Sequence, residues 1–291
     1  MLKCFYFVAI ISLLLVSCSE DSTEPTKTFD VKYLHSEYIK LWKLTEITVN
    51  GGKIVDDSKM DEMIIFDKLG GGIIVYGEYD SSISDTLTSD HFKYEFVNGN
   101  TIKCTNLHLN HSSDGNSDFN VINLTDDVLV FEQKITKNNK TTTTRYSYIR
   151  AVTANPNADG QNLALTKGNV KLWKVAIQII DGVEQVNPCY RDDLFLFATD
   201  GTGIKIFGDN HCKTADTTNN DFFSWKIIQN GSKIVRANMH PTWNHQTGEV
   251  ISIADTINII SLTNDEFQYT VLNSFNGVKK LVDLTNVPYI R

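Results

Sequence analysis

The sequence predicts an all-β fold, two tandem up-and-down antiparallel barrels of about eight strands each. Three observations carry that prediction: an internal repeat, a hydrophobic period of two, and hairpin turns at regular intervals. Laid over Leu172-Trp173-Lys174-Val175, the segment Leu41-Trp42-Lys43-Leu44 keeps step at a spacing of 131 residues, without a gap, as far as Gly77 and Gly208. Eleven of these 37 positions are identical, among them Gly51/Gly182, Phe66/Phe197, Gly70/Gly201 and Gly72/Gly203. The same offset sets Phe92, Tyr94 and Phe96 over Phe223, Trp225 and Ile227, and after a small insertion Leu124-Thr125 falls on Leu262-Thr263. Glycines recur where each copy needs the same backbone turn, so the chain is a tandem duplication.

Within each copy the pattern is that of strands. His91-Phe92-Lys93-Tyr94-Glu95-Phe96 alternates apolar and polar, which buries one face of a pleated segment. Strand-like runs are separated by Asn50-Gly51, Gly70-Gly71-Gly72, Asn98-Gly99, Asp126-Asp127 and Asn138-Asn139. The second copy uses Asp181-Gly182, Asp200-Gly201, Asn230-Gly231, Asn264-Asp265 and Asn276-Gly277. Asn-Gly and Asp-Gly tolerate positive φ at both central positions and favour the turns that match strand twist. A meander of local hairpins hides its edges most economically by closing into a barrel. Helical periodicity is confined to one short possibility, Tyr33 to Lys40. Thr153 to Lys167, containing NPNADGQN, has no sustained pattern and is expected to link the copies.

The first residues give an address. Lys3 and the apolar run Phe5 to Val16 form an export signal, far short of the roughly 20 apolar residues that span a bilayer as a helix. Leu15-Val16-Ser17-Cys18 resembles the lipobox of bacterial lipoproteins, in which the cysteine is lipidated and the bond before it is cut. The resemblance implies a mature chain anchored by Cys18, since two or more acyl chains hold a protein stably on a membrane. Ser19 to Thr28 lack any apolar residue and should be a tether. Glu20-Asp21 resembles the surface-export signal of lipoproteins in the Bacteroides and Flavobacterium group. The expected organisation is a signal peptide at 1–17, a lipidated tether at 18–32, one barrel at 33–151, a linker at 152–168 and a second barrel at 169–291.

Composition narrows the function classes. The chain has 27 Lys and Arg against 35 Asp and Glu, a formal net charge of -8, which becomes -9 once the signal and its single lysine are removed. Without a basic stripe, phosphate contacts would be made against the protein's own field, so nucleic acid is excluded as a partner. Of the five cysteines, Cys4 leaves with the signal and Cys18 carries lipid. In an oxidising compartment two of the remaining three, Cys104, Cys189 and Cys212, are expected to pair.

The opening Trp strand, the eight-strand meander and NPCYRDDLFLFATDGTG followed by Cys212 are similar to bacterial lipocalin-like lipoprotein domains. Their pattern is Leu-x-x-Trp-x-Leu, a Cys before paired acids, a Phe-x-x-Asp-Gly-Thr hairpin and a second Cys. The second copy supplies Trp173, Cys189, Asp192-Asp193, Phe197, Asp200-Gly201-Thr202 and Cys212; the first has Ser58 where the first cysteine belongs. The resemblance therefore implies a Cys189–Cys212 disulfide in the second barrel alone. That bridge would close a loop of about 24 residues and constrain the unfolded chain by roughly 3 kcal/mol. Cys104 is then expected to be a buried thiol. The glycine that this family carries two residues before the Trp is replaced by Lys40 and Lys171.

The resemblance implies a binding protein. Phe92, Tyr94, Phe96, Phe223 and Trp225 fall on interior faces and are the candidates for contact with a small hydrophobic ligand. Trp42 and Trp173 are candidates for closing the barrel ends. The alternative is a pair of solid barrels that contact a surface protein or a glycan through loops, and HPTWNHQTG places His240, Trp243 and His245 on an expected loop with Trp243 as the platform. No metal site is expected from two histidines five apart. The acid pairs Asp61-Glu62 and Asp192-Asp193 are expected to make turn hydrogen bonds. With no Gly-x-Ser-x-Gly elbow, His-Glu-x-x-His helix or phosphate-cradling Gly-Lys-Ser, neither catalysis nor a cofactor is expected. The expected location is the outer membrane, lipid-anchored and facing the cell surface, with the periplasmic face as the alternative.

Overall fold

The computed structural model describes residues 27–37, 39–54, 62–75, 89–107, 116–153, 155, 157–158, 160–185, 192–207, 221–244, 249–275 and 278–289. Cys18, Cys189 and Cys212, and with them the anchor and the disulfide, lie outside the described residues, as do Asp61 and His245. A short helix α1 (Lys32–His35) precedes the strands β1 (Ile39–Val49), β2 (Gly52–Ile54), β3 (Met63–Asp67), β4 (Gly71–Val75), β5 (Ser89–Val97), β6 (Thr101–Thr105), β7 (Asn116–Leu124), β8 (Val128–Lys137) and β9 (Lys140–Arg150). The second half repeats the order: α2 (Gly160–Thr166), β10 (Val170–Ile180), β11 (Val183–Glu184), β12 (Leu194–Ala198), β13 (Thr202–Ile206), β14 (Asp221–Ile228), β15 (Lys233–Asn244), β16 (Glu249–Leu262), β17 (Phe267–Phe275) and β18 (Val278–Pro288).

Each half is a closed antiparallel barrel of eight strands. β1 pairs with β3 on one side and β9 on the other, β10 pairs with β12 and β18, and the short β2 and β11 only extend the ends of β1 and β10. The expected all-β tandem meander is what forms. Asn50-Gly51, Asp181-Gly182, Asn98-Gly99 and Asn138-Asn139 all take positive φ at both positions, the primed turns that their residue types favour. The acidic turns at 126 and 264 use a different device. Thr125 Oγ1 accepts from the amides of Asp127 and Val128, and Thr263 Oγ1 accepts from those of Asp265 and Glu266.

The duplication extends to irregularities. A bulge interrupts the β1–β9 register between Leu44 and Glu46, and the β10–β18 register breaks at the equivalent Val175 and Ile177. Each bulge resets the alternation, so Ile47 and its counterpart Gln178 both turn inward. The stretch expected to be a bare linker holds α2, and its Leu165 occupies the place of Leu34 at the 131-residue offset.

Three apolar cores result, not two. One lies inside each barrel, and a third lies between them, built from outward faces of both: Ile39, Leu41, Ile65, Ile73 and Val75 of the first, and Val170, Leu172, Leu196, Ile204 and Ile206 of the second. These are equivalent positions of the two copies, so each barrel offers the same patch to the other. Because these strands are covered on both faces, they read as continuous apolar runs, MIIF in β3 and LFLFA in β12, rather than as alternations.

Candidate functional site

The closed end of each barrel is assembled from the same parts. Trp42 and Trp173 are wholly buried, and the indole Nε1 of each donates to a carbonyl of the preceding helix, Leu34 O at 2.8 Å and Leu165 O at 2.9 Å. Above each indole lies the lysine two residues earlier. Lys40 Nζ is 4.5 Å from the Trp42 ring centroid and donates to Tyr33 O and Asp126 Oδ1, each at 3.0 Å. Lys171 Nζ is 3.7 Å from the Trp173 ring and donates to Ala164 O at 2.9 Å and Asn264 O at 2.6 Å. The lysines thus tie helix, indole and strand-connecting turn together, a task glycine could not perform. Burial, reinforced by the Lys167 charge, depresses the Lys171 ammonium to about 8.

Beyond the tryptophans, both lumens are lined by edge-to-face rings centred on equivalent phenylalanines. Phe66 meets Phe92 at 5.6 Å and Tyr94 at 5.1 Å; Phe197 meets Phe223 and Trp225, each at 5.6 Å. Phe96 packs partly buried against the first core. The five aromatic residues singled out from the pattern therefore all face a lumen. Tyr94 Oη donates to Asp67 O and Trp225 Nε1 to Thr202 O, which fixes both rings. Gly72 and Gly203 exist for these rings: they sit opposite Phe92 and Phe223 in the ladder, and an added Cβ would lie 2.0 Å and 2.2 Å from ring carbons. Gly203→Ala is accordingly expected to expel the Phe223 ring and destabilise the protein by about 1–3 kcal/mol in urea unfolding.

The two lumens differ in their polar groups. In the first, Tyr148 Oη donates to Glu62 Oε1 at 3.4 Å, and the buried Cys104 thiol is pushed well up by its surroundings, which keeps it protonated and unreactive. The second holds two ion pairs, one buried and one partly buried. Lys205 Nζ is 3.0 Å from Asp193 Oδ2, and the Arg236 guanidinium grips Asp255 through Nε, at 2.8 Å from Oδ1, and through Nη2 on Oδ2. Arg236 also lies over the rings of Phe195 and Phe223. Burial works against its charge, and the Asp255 carboxylate outweighs that penalty, so its pKa is raised.

Glu62 and Asp193 are both buried, because the strand they introduce carries them to the lumen side. One expectation needs correction: His240 and Trp243 do not lie on a loop. Backbone pairing carries β15 to Asn244, with Trp243 opposite Val250. Pro241 is accommodated because the register shifts around Met239, relieving the ladder of a bond that proline cannot donate. Among the described residues, no group of three or more His, Cys, Asp or Glu is placed to hold a metal ion.

Comparison with curated proteins finds no match. Two solved structures are similar in outline. Transferrin binding protein B from serogroup B Neisseria meningitidis is 10% identical, over 79% of this chain and 58% of that one, with a TM-score of 0.26. A mutant of transferrin binding protein B from Haemophilus parasuis Hp5 is 7% identical, over 87% and 76%, with a TM-score of 0.25. The chain thus spans little more than half of the first, and superpositions this loose carry no argument about function. Residues 39–131, from the start of β1 into β8, match the family model of the Lipocalin-like domain, and the closed meander repeated from β10 to β18 gives both halves a lipocalin-like fold.

Proposed function

We propose that the protein is a non-catalytic envelope lipoprotein that holds small, largely apolar molecules inside its barrels at 33–151 and 169–291. On this reading it is moored in the outer membrane by lipid on Cys18, faces the cell surface, and has its second barrel braced by Cys189–Cys212. The observation that supports it most is that Phe92, Tyr94, Phe96, Phe223 and Trp225 all face the apolar interior of a closed barrel. Protein with Cys18→Ala, purified without detergent, should carry a hydrophobic compound in native mass spectra or take up a fluorescent lipid. Spectra of bare protein together with no uptake overturn the proposal.

A second reading, contact with a surface protein or a glycan, has one observation in its favour. Leu272 and Leu281 stand opposite each other on the outer face of β17–β18, 55% and 54% exposed. On that reading Trp243 or this leucine pair, not the lumens, would govern capture of the partner.

A further inference from the structure

One corner of the second lumen departs from its counterpart in the first. There Leu284 of β18 stands between Gln178 of β10 and Tyr269 of β17, with Asn286 the next inward residue along β18. The equivalent ladders of the first barrel set Tyr146 between Ile47 and Phe131, with Tyr148 next. In that barrel the corner is occupied by rings: Phe131 meets Tyr146 and Tyr148, each at 5.4 Å, and the Tyr148 hydroxyl donates to Glu62. In the second barrel a leucine and an asparagine replace two of the rings, and a glutamine replaces the isoleucine.

The two amides carry unmet hydrogen bonds. Asn286 is 1% exposed, flanked in the ladders by Val175 and Phe267 of the apolar interior, and neither its Nδ2 nor its Oδ1 has a hydrogen-bond partner. The Tyr269 hydroxyl is near it but outside hydrogen-bond geometry to either atom. Gln178 is 5% exposed, and its Oε1 is likewise without a partner. The charges felt at Tyr269 do not supply the missing bonds, because Arg236 and Asp255 hold each other. An unpaired buried amide bears its full desolvation cost, and an apolar residue in the same place avoids it, as Ile47 does in the first barrel. Folding therefore does not explain the two amides.

Gln178 and Asn286 are diagonal neighbours on paired strands, a separation of roughly 7–8 Å that one small group can bridge. Asn286 calls for a donor and an acceptor side by side, and Gln178 Oε1 for a further donor. A primary carboxamide has that set. Its oxygen accepts from Asn286 Nδ2, one N–H donates to Asn286 Oδ1, and the other N–H donates to Gln178 Oε1. A hydroxyl, an ester or a carboxylate leaves at least one of the three atoms unpaired.

We propose that the second barrel recognises an uncharged molecule bearing a primary carboxamide on an apolar body, with Asn286 and Gln178 as the partners of the carboxamide. This inference rests on the barrels being ligand carriers, and it assigns the carboxamide site to the second barrel alone.

The test is calorimetric titration of the Cys18→Ala chain with three matched probes, 3-phenylpropanamide, methyl 3-phenylpropanoate and 3-phenylpropionate, beside uptake of a fluorescent lipid. The amide should bind saturably and at least about tenfold more tightly than the ester or the carboxylate. Asn286→Val should erase that preference and Gln178→Ile should cut it by about threefold or more, with the ester's affinity unchanged in both, which separates lost hydrogen bonds from lost room. Neither variant should lower the melting temperature, because each removes an unpaired buried amide. A lower one would show that the amide is bonded within the protein, and it overturns the inference. Equal binding of amide and ester, or a preference that survives Asn286→Val, also overturns it and leaves the ligand-carrier reading intact. Lipid uptake with no amide binding does the same. If neither lipid nor any probe binds, both fall.

Discussion

Trp173→Ala is expected to destabilise the second barrel by about 3–5 kcal/mol, the range for deleting a fully buried large aromatic. The indole is wholly buried and touches the Phe267 ring at a centroid distance of 5.7 Å, so its removal opens a cavity at the base of the lumen. Two further losses add to it. Leu165 O forfeits the Nε1 donor that holds α2 across the barrel end, and Lys171 keeps its buried charge without the ring that faces it. Urea unfolding followed by tyrosine and residual tryptophan fluorescence measures the change. Trp42→Ala should show a similar loss in the first barrel, because Leu34 O and Lys40 stand in the same relation to it. A loss below about 1 kcal/mol for either variant would show that the indoles are not the keystones of the barrel ends.

Leu196→Asp should cost about 3–5 kcal/mol and loosen the barrels from each other. Leu196 is fully buried, yet it points away from its own lumen, into the apolar layer shared with Ile65, Ile73 and Leu41. A carboxylate placed there has no cation near it among the members of that layer, so it must stay neutral or bring water between the barrels. The expected signature is a single unfolding transition in the parent that splits or broadens in the variant, with faster proteolysis between the barrels at 152–168. Leu272→Asp is the control, since Leu272 is mostly exposed and should shift stability by no more than about 0.5 kcal/mol. Equal behaviour of the two variants would mean that the barrels do not share a core in solution.

The outward leucines show why part of this architecture could be read from the chain and part could not. Alternation at 91–96, paired Asn-Gly and Asp-Gly turns and the 131-residue repeat are local signals, and each specifies strand, turn or copy with no knowledge of distant residues. Trp243 departs from its expected loop for a related reason: a segment rich in His, Pro and Asn resembles a loop until a partner strand fixes its backbone, which β16 does with shifted register around Pro241. The runs MIIF and LFLFA did carry a trace of the third core, because strands covered on both faces lose their polar alternation. That trace says only that a second face is buried and never names what buries it.

The sequence by itself determined that this protein is a duplicated all-β chain, the order of its strands, the chemistry of its turns and the inward side of each ring-bearing strand, because these follow from spacing along the backbone. Only the tertiary structure decided that Lys40 and Lys171 lie over the tryptophans, that the barrels join through equivalent patches, and that Gln178, Lys205, Asp221, Arg236 and Asp255 meet in one lumen. Those facts depend on closure and register, which bring together residues tens of positions apart, and a period of two cannot state which strand will be the neighbour.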